Sequence, residues 1–266
     1  MGNNEQVNNE QMMNFWEHLD VLRTVLVKIL LVSIGCGIAA FLFKDELFDI
    51  VLAPKDSGFV TYRWIALCSA VFGETTADVF NVQLINTGLA EQFVIHVKVA
   101  MCAGVLCASP YILYQLFRFV SPALYANERK YAVAMVSSGY LMFMLGVAVS
   151  YFLVFPFTFR FLGTYQVSGE VTNMIALPSY ISTMMVMCLT MGIVFEMPVL
   201  AWLFGRMGLL SAQFMRRYRK HAVVIILIVA AVITPTSDVF TLLLVSCPIY
   251  LLYETSIAVV RLARKQ

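Results

Sequence analysis

Charge is scarce in this sequence. Asp, Glu, Lys and Arg make up 13% of its 266 residues, and only three residues are histidine. Soluble domains carry about 25% charged residues, so this chain cannot dress a water-exposed surface of the usual kind. The formal net charge is only +2 and no basic stretch interleaves with aromatics, which argues against a nucleic-acid partner. The patterns that carry enzymatic chemistry are also missing: there is no HExxH, GxSxG, P-loop or GxGxxG. No CxxC occurs either. Cys36, Cys102, Cys107, Cys188 and Cys247 lie inside apolar runs, where a thiol behaves as a small hydrophobe, and Cys68 stands alone in a polar connection. His18, His96 and His221 sit near the ends of apolar segments, far apart in sequence, and suit interfacial polar residues better than a metal set. Neither a metal nor a cofactor is expected.

Apolar residues are what the chain has in excess: 61% hydrophobic, with a mean hydropathy of +0.82. A soluble fold of this length could not bury so much apolar surface, so lipid must solvate part of it. Six apolar stretches stand out, at about 22–43, 93–120, 131–159, 180–204, 222–234 and 239–260. The run after Arg23 is too long for a signal-peptide core and has no small-residue cleavage site, so it reads as a retained first helix. The fifth stretch would extend about 20 Å as a helix, short of a hydrocarbon core of about 30 Å. The sixth is free of charge only from Val239 to Tyr253. Both are therefore expected as short helices of a hairpin, turning at Thr234-Pro235-Thr236-Ser237-Asp238, where Pro and Asp suit a turn. The fold class is an all-α membrane protein of six transmembrane helices. It forms one domain over 21–260, between an N-terminal segment 1–20 and a tail 261–266.

Basic residues orient it. Arg23, Arg118, Arg129, Lys130, Arg206, Arg216, Arg217, Arg219, Lys220, Arg261, Arg264 and Lys265 fall on one side. Lys44, Lys55, Arg63 and Arg160 fall on the other. The richer side is cytoplasmic by the positive-inside rule, which puts both termini inside. The connection 44–92 is then external. It is acidic and carries an apolar patch, Trp64 to Phe72, which predicts a short amphipathic helix.

Two acids invite attention. Glu196, followed by Pro198, lies inside the fourth stretch. An acid in that setting costs several kcal/mol unless it faces protein or water, or is protonated. It is either a structural hydrogen-bonding group that fixes helix packing or a polar site for a substrate or partner helix. As a carrier acid it would suit a proton-coupled small-solute transporter. Glu128, between stretches two and three, reads on physics alone as a solvated loop acid beside Arg129 and Lys130. Asp20 and Arg23 read as interface anchors.

Several stretches in order resemble one family: His18-Leu19-Asp20-Val21-Leu22-Arg23, Ser109-Pro110-Tyr111-Ile112-Leu113-Tyr114-Gln115, Phe119-Val120-Ser121-Pro122-Ala123-Leu124-Tyr125, Glu128-Arg129, Phe195-Glu196-Met197-Pro198 and Thr234 to Asp238. Together they are similar to the TatC family, the multi-pass component of the twin-arginine protein translocase. The resemblance implies a concave, glove-like bundle of six helices with the fifth and sixth shortened, in the bacterial inner membrane. It also implies a self-associating receptor for twin-arginine signal peptides. Such a receptor exports folded proteins with TatA/TatB-type single-span partners, driven by the proton-motive force. Under it Glu128, with Asp20, Arg23 and Glu17, would read the signal peptide, since paired guanidiniums prefer bidentate carboxylates. Glu196, Thr234 and Asp238 would form the polar partner contact within the membrane. Pro54, Lys98, Pro110, Pro122, Pro198 and Pro235 would organise the fold. The family's second signal-reading acid falls here on Val21, so Asp20 or Glu17 supplies that charge or Glu128 dominates. Leu242 stands where the family often has Gln.

Overall fold

In hydrocarbon a segment must satisfy its own backbone N–H and C=O groups, which makes every long apolar run of this chain a helix. The computed structural model describes residues 15–71, 83–120, 132–166, 168, 173–234 and 238–263. Among these, five helical spans are long and apolar enough to cross a membrane: Leu19–Phe41, Glu91–Phe119, Met135–Thr164, Leu177–Arg206 and Val239–Ala263.

Helix α1 (Phe15–Phe41) starts well before the apolar run it carries. The connection that follows is structured: α2 (Lys44–Leu52), a 3-10 turn at Ala53–Lys55, and α3 (Val60–Val71), a helix where one was expected, beginning four residues earlier than the apolar patch. Helix α4 (Glu91–Val120) holds Pro110 in its interior. The third span is α5 (Ala132–Val149), one π-helical turn (Ser150–Val154) and α6 (Phe155–Thr164). Pro156 cannot donate to the turn before it, and the wider π turn absorbs that mismatch. The fourth span is α7 (Leu177–Phe195) followed by α8 (Met197–Arg206). After the short α9 (Ala212–Arg217) come α10 (Arg219–Ile233) and α11 (Val239–Ala263). Two short strands, β1 (Leu84–Ile85) and β2 (Ile175–Ala176), pair in parallel and join the approaches to α4 and α7.

The fifth apolar stretch forms α10, which has 15 residues and extends about 22 Å, as short as expected. The sixth corrects the expectation of a short helix: α11 has 25 residues and extends about 37 Å. Charge ends its apolar run at Glu254 but does not end the helix. Arg219 at the start of α10 meets Glu254 at 2.6 Å, and the helix continues for more than two turns beyond.

Small residues set the closest helix crossings. A Cβ on Gly104 of α4 would lie 2.5 Å from the Gly37 nitrogen and 2.7 Å from the Ser33 carbonyl oxygen of α1. A Cβ on Gly146 of α5 would lie 2.6 Å from the Met191 carbonyl oxygen of α7. Lipid gives packed helices no hydrophobic drive to associate, so such close backbone approach supplies the dispersion contact that holds them. Helix α11 packs against both α8 and α10. The core between these pairs is completely buried at Val154, Met187, Met191, Ala230 and Val245. Outward faces stay apolar, with Leu31, Ile38 and Leu251 about 60% exposed or more, as a lipid-facing surface requires.

The connection after α1 is tied onto the ends of three helices. Thr61 Oγ1 donates to the Phe152 carbonyl, Tyr151 OH donates to Ile50 O at 2.6 Å, and Tyr180 OH donates to Val51 O at 3.1 Å. The Tyr62 hydroxyl lies 3.0 Å from Pro54 O and 3.1 Å from Pro156 O, so one proton serves both carbonyls. Burial pushes the Tyr62 phenol above its ordinary value, an effect that the positive charge of Arg160 partly offsets.

Candidate functional site

Glu196 occupies the single residue between α7 and α8. Pro198 lacks the N–H that would continue the helix of α7, so the chain breaks and restarts there. The Glu196 N–H turns back to Ile193 O at 3.1 Å, and Leu200 N–H donates to Glu196 O at 3.0 Å. The carboxyl itself points into the protein, and the residue is only 8% exposed. Gly139 of α5 makes the room: a Cβ there would sit 3.1 Å from Glu196 Oε2 and 3.3 Å from the Phe117 ring of α4. Oε1 is buried without a hydrogen-bond partner among the described residues. Leaving a buried polar group unpaired costs a few kcal/mol, so the site favours any arrival that brings a donor.

The depth follows from the helix register. Gly139 lies seven residues into α5, which is about 10 Å along the axis. Phe117 lies three residues before the end of α4. The carboxyl is therefore nearer the end of the bundle bridged by residues 121–131 than its middle. Beside it, between α5, α8 and α11, is a cavity of about 430 Å³. Pro198 and Val199, which follow the acid, line it with Ser138, Trp202 and Val259. The walls are apolar, and the Ser138 hydroxyl donates to its own helix at Met135 O, 3.0 Å away.

The other expected residues are distributed over the fold. Asp20 and Arg23 are exposed in the first turns of α1, and position 17 lies one helical turn before position 21. Thr234 is buried, and its hydroxyl donates to Ala230 O at 3.0 Å, a bond within the end of α10. Asp238 starts α11 by accepting the Thr241 N–H at 2.7 Å, as a helix cap does. Pro54 is buried beneath Tyr62, Lys98 is exposed on α4, Pro110 is exposed inside α4, and Pro198 is buried. Glu128, Pro122 and Pro235 lie outside the described residues. The structure thus brings Glu196 together with Gly139 and Phe117, and among the described residues no hydrogen bond or ion pair joins it to Asp20, Arg23 or Thr234.

Gly139 and the Arg219–Glu254 pair escaped the sequence reading. The only hint of the first was the run of small residues Ser137-Ser138-Gly139, and the pair is separated by 35 positions. His96 stacks on Phe41 with ring centroids 4.0 Å apart, and His221 packs near Tyr218. Among the described residues no group of three or more His, Cys, Asp or Glu could hold a metal ion.

A multi-pass helical membrane protein with a buried acid at a helix break, next in sequence to the wall of an apolar cavity, is the class that fold and site define. The family model described as Sec-independent protein translocase protein (TatC) matches residues 17–248. The Sec-independent protein translocase protein TatC of Blattabacterium sp. subsp. Periplaneta americana is 34% identical over 255 residues, covering 94% of this chain and 96% of that protein. The protein of the same name from Aquifex aeolicus is 32% identical over 252 residues, covering 94% and 95%. A crystal structure of the twin arginine translocase receptor TatC superposes with a TM-score of 0.74 at 31% identity, over 93% of this chain and 100% of that one. The same receptor crystallised in DDM gives a TM-score of 0.75 at 30% identity, over 91% and 98%. The chain belongs to the TatC family, and its role lies in Tat protein translocation.

Proposed function

We propose that the chain is the receptor that binds twin-arginine signal peptides of folded cargo at the cytoplasmic end of its bundle. It then passes the cargo across the bacterial inner membrane with TatA/TatB-type partners and further copies of itself, driven by the proton-motive force. Both termini are cytoplasmic in this reading, and no step makes or breaks a covalent bond. The observation that carries it is the partnerless Glu196 oxygen, about 10 Å below the helix ends that residues 121–131 connect. A signal peptide met by Glu128 at that end has a short path to the cavity beside Glu196, where a partner or signal helix can bring the missing donor. At the surface, two guanidiniums meet carboxylates in bidentate pairs, which an ammonium cannot form. Helical register favours Glu17 over Asp20 as the second acid. Position 17 is one turn from Val21 and within about 40° of its face, whereas position 20 is turned by about 100°.

The test is binding of a twin-arginine peptide and its twin-lysine counterpart to the purified protein. Binding at least tenfold tighter for the arginine form is expected. Equal affinity would end the receptor reading.

A further inference from the structure

A second charged site lies at the foot of α9, α10 and α11. A cavity of about 390 Å³ is lined there by Arg216, Arg219, Arg261 and Glu254, with Ile257 and Leu262 on the apolar side. The three guanidiniums come from three elements: the last turn of α9, the first residue of α10 and the last turn of α11. Their placement is built in. The Tyr253 hydroxyl of α11 donates to Met215 O at 2.7 Å, which fixes the end of α9 and hence Arg216 against α11.

Both oxygens of the one carboxylate are taken. Glu254 Oε2 accepts from Arg219 Nη2 at 2.6 Å, and Oε1 accepts from Tyr250 OH at 3.2 Å. Arg216 and Arg261 have no carboxylate partner among the described residues. Three positive charges against one negative leave the cavity at +2. The first turn of α10 adds to this, because its N-cap residue Tyr218 offers no side-chain hydrogen bond to the free N–H groups there.

Position selects the ligand. Basic residues stand here where the apolar runs of α10 and α11 meet water, which is the headgroup level of a bilayer. Leu262 is 66% exposed and continues the outward apolar face of α11. A free inorganic anion would gain nothing from such a wall, and a twin-arginine peptide would be repelled by the guanidiniums. We propose that this cavity binds the phosphate of an anionic phospholipid, with Arg216 and Arg261 as its guanidinium donors, Arg219 held in reserve by Glu254, and the acyl chains lying along Leu262. The site is separate from the signal-peptide reading above and stands or falls without it.

The experiment is a titration of the purified full-length chain in neutral detergent, followed by native mass spectrometry. Phosphatidylglycerol, phosphatidylcholine of the same acyl chains, inorganic phosphate and a short acidic peptide are the ligands. Phosphatidylglycerol is expected to bind more tightly than phosphatidylcholine, and neither phosphate nor the peptide should displace it at equal concentration. The double variant R216Q/R261Q should lose at least tenfold in phosphatidylglycerol affinity, while R63Q on α3 should lose nothing. Glu254→Gln should gain affinity several-fold, because it frees Arg219 and removes the opposing charge. That gain is not expected of a merely structural ion pair, and it keeps the test decisive if the double variant fails to fold. Equal affinity for the two lipids, displacement by phosphate or by the peptide, or a loss of affinity in Glu254→Gln would each overturn the proposal.

Discussion

Gly139 and Glu196 are matched across two helices: the carboxyl oxygen Oε2 occupies space only 3.1 Å from where a Cβ on residue 139 would stand. The acid can enter the protein because α5 offers it bare backbone. Crowding and charge can therefore be separated by experiment. Gly139→Val should lower stability by about 1–3 kcal/mol through overpacking, read as a drop in melting temperature in detergent. Glu196→Gln keeps the volume and should leave the melting temperature unchanged or slightly higher, since one oxygen had no partner to lose. Partner assembly and export should nonetheless fall in that variant. Normal export would reduce Glu196 to a packing residue.

The signal-peptide reading makes a ranked prediction for three acids. Glu128→Gln should weaken twin-arginine peptide binding by tenfold or more, the equivalent of about 1.4 kcal/mol or above for a charge-assisted bidentate pair. Glu17→Gln should weaken it less, and Asp20→Asn least. Isothermal titration at two salt concentrations checks both the ranking and the electrostatic origin, because exposed pairs weaken as salt rises. Stronger loss in Asp20→Asn than in Glu17→Gln would contradict the register argument.

Helix α1 is held by backbone proximity to α4. Gly104→Leu places a side chain where the Gly37 backbone already stands, 2.5 Å from the new Cβ. No rotamer relieves a backbone clash, so the helices must part. Loss of stability by about 3 kcal/mol or more is expected, with protease cleavage appearing at the α1–α2 junction. Gly35→Leu on the same helix is a matched control, since a Cβ there meets nothing within 4 Å.

Tyr62 clamps the connection after α1 to Pro54 and Pro156. Tyr62→Phe removes the shared proton and should cost about 1–2 kcal/mol, measured by thermal or chemical unfolding. The pH dependence has a definite sign. Because the folded phenol titrates above the unfolded value of 10.0, its contribution is fully present below that pH and is lost as pH rises past it. The Phe variant should show a shallower decline above pH 10.

Much of the fold was legible in the order of residues. A helix must carry about 20 apolar residues to cross a bilayer, and that requirement marked the first four spans directly. The shortness of α10 followed from counting. What counting misjudged was the length of α11: its charge-free part ends at Tyr253, but the helix runs on past Glu254, which Arg219 meets. The folded connection after α1 was equally hidden. Tyr62, Tyr151 and Tyr180 bind carbonyls that lie 8 to 129 positions away, and no local pattern announces such a bond.

The candidate site divides in the same way. Glu196 was visible alone, as an acid inside an apolar run followed by proline, and the family motifs marked Glu128. By itself, the sequence determined solvent and element: scarce charge and long apolar runs dictate helices in lipid, because backbone groups there have no water to turn to. Tertiary structure alone decided which residues share a site. It put Gly139 against Glu196 and lined one cavity with Arg216, Arg219 and Arg261. Such neighbours are set by helix crossings and packing between distant segments, and no spacing along the chain encodes them.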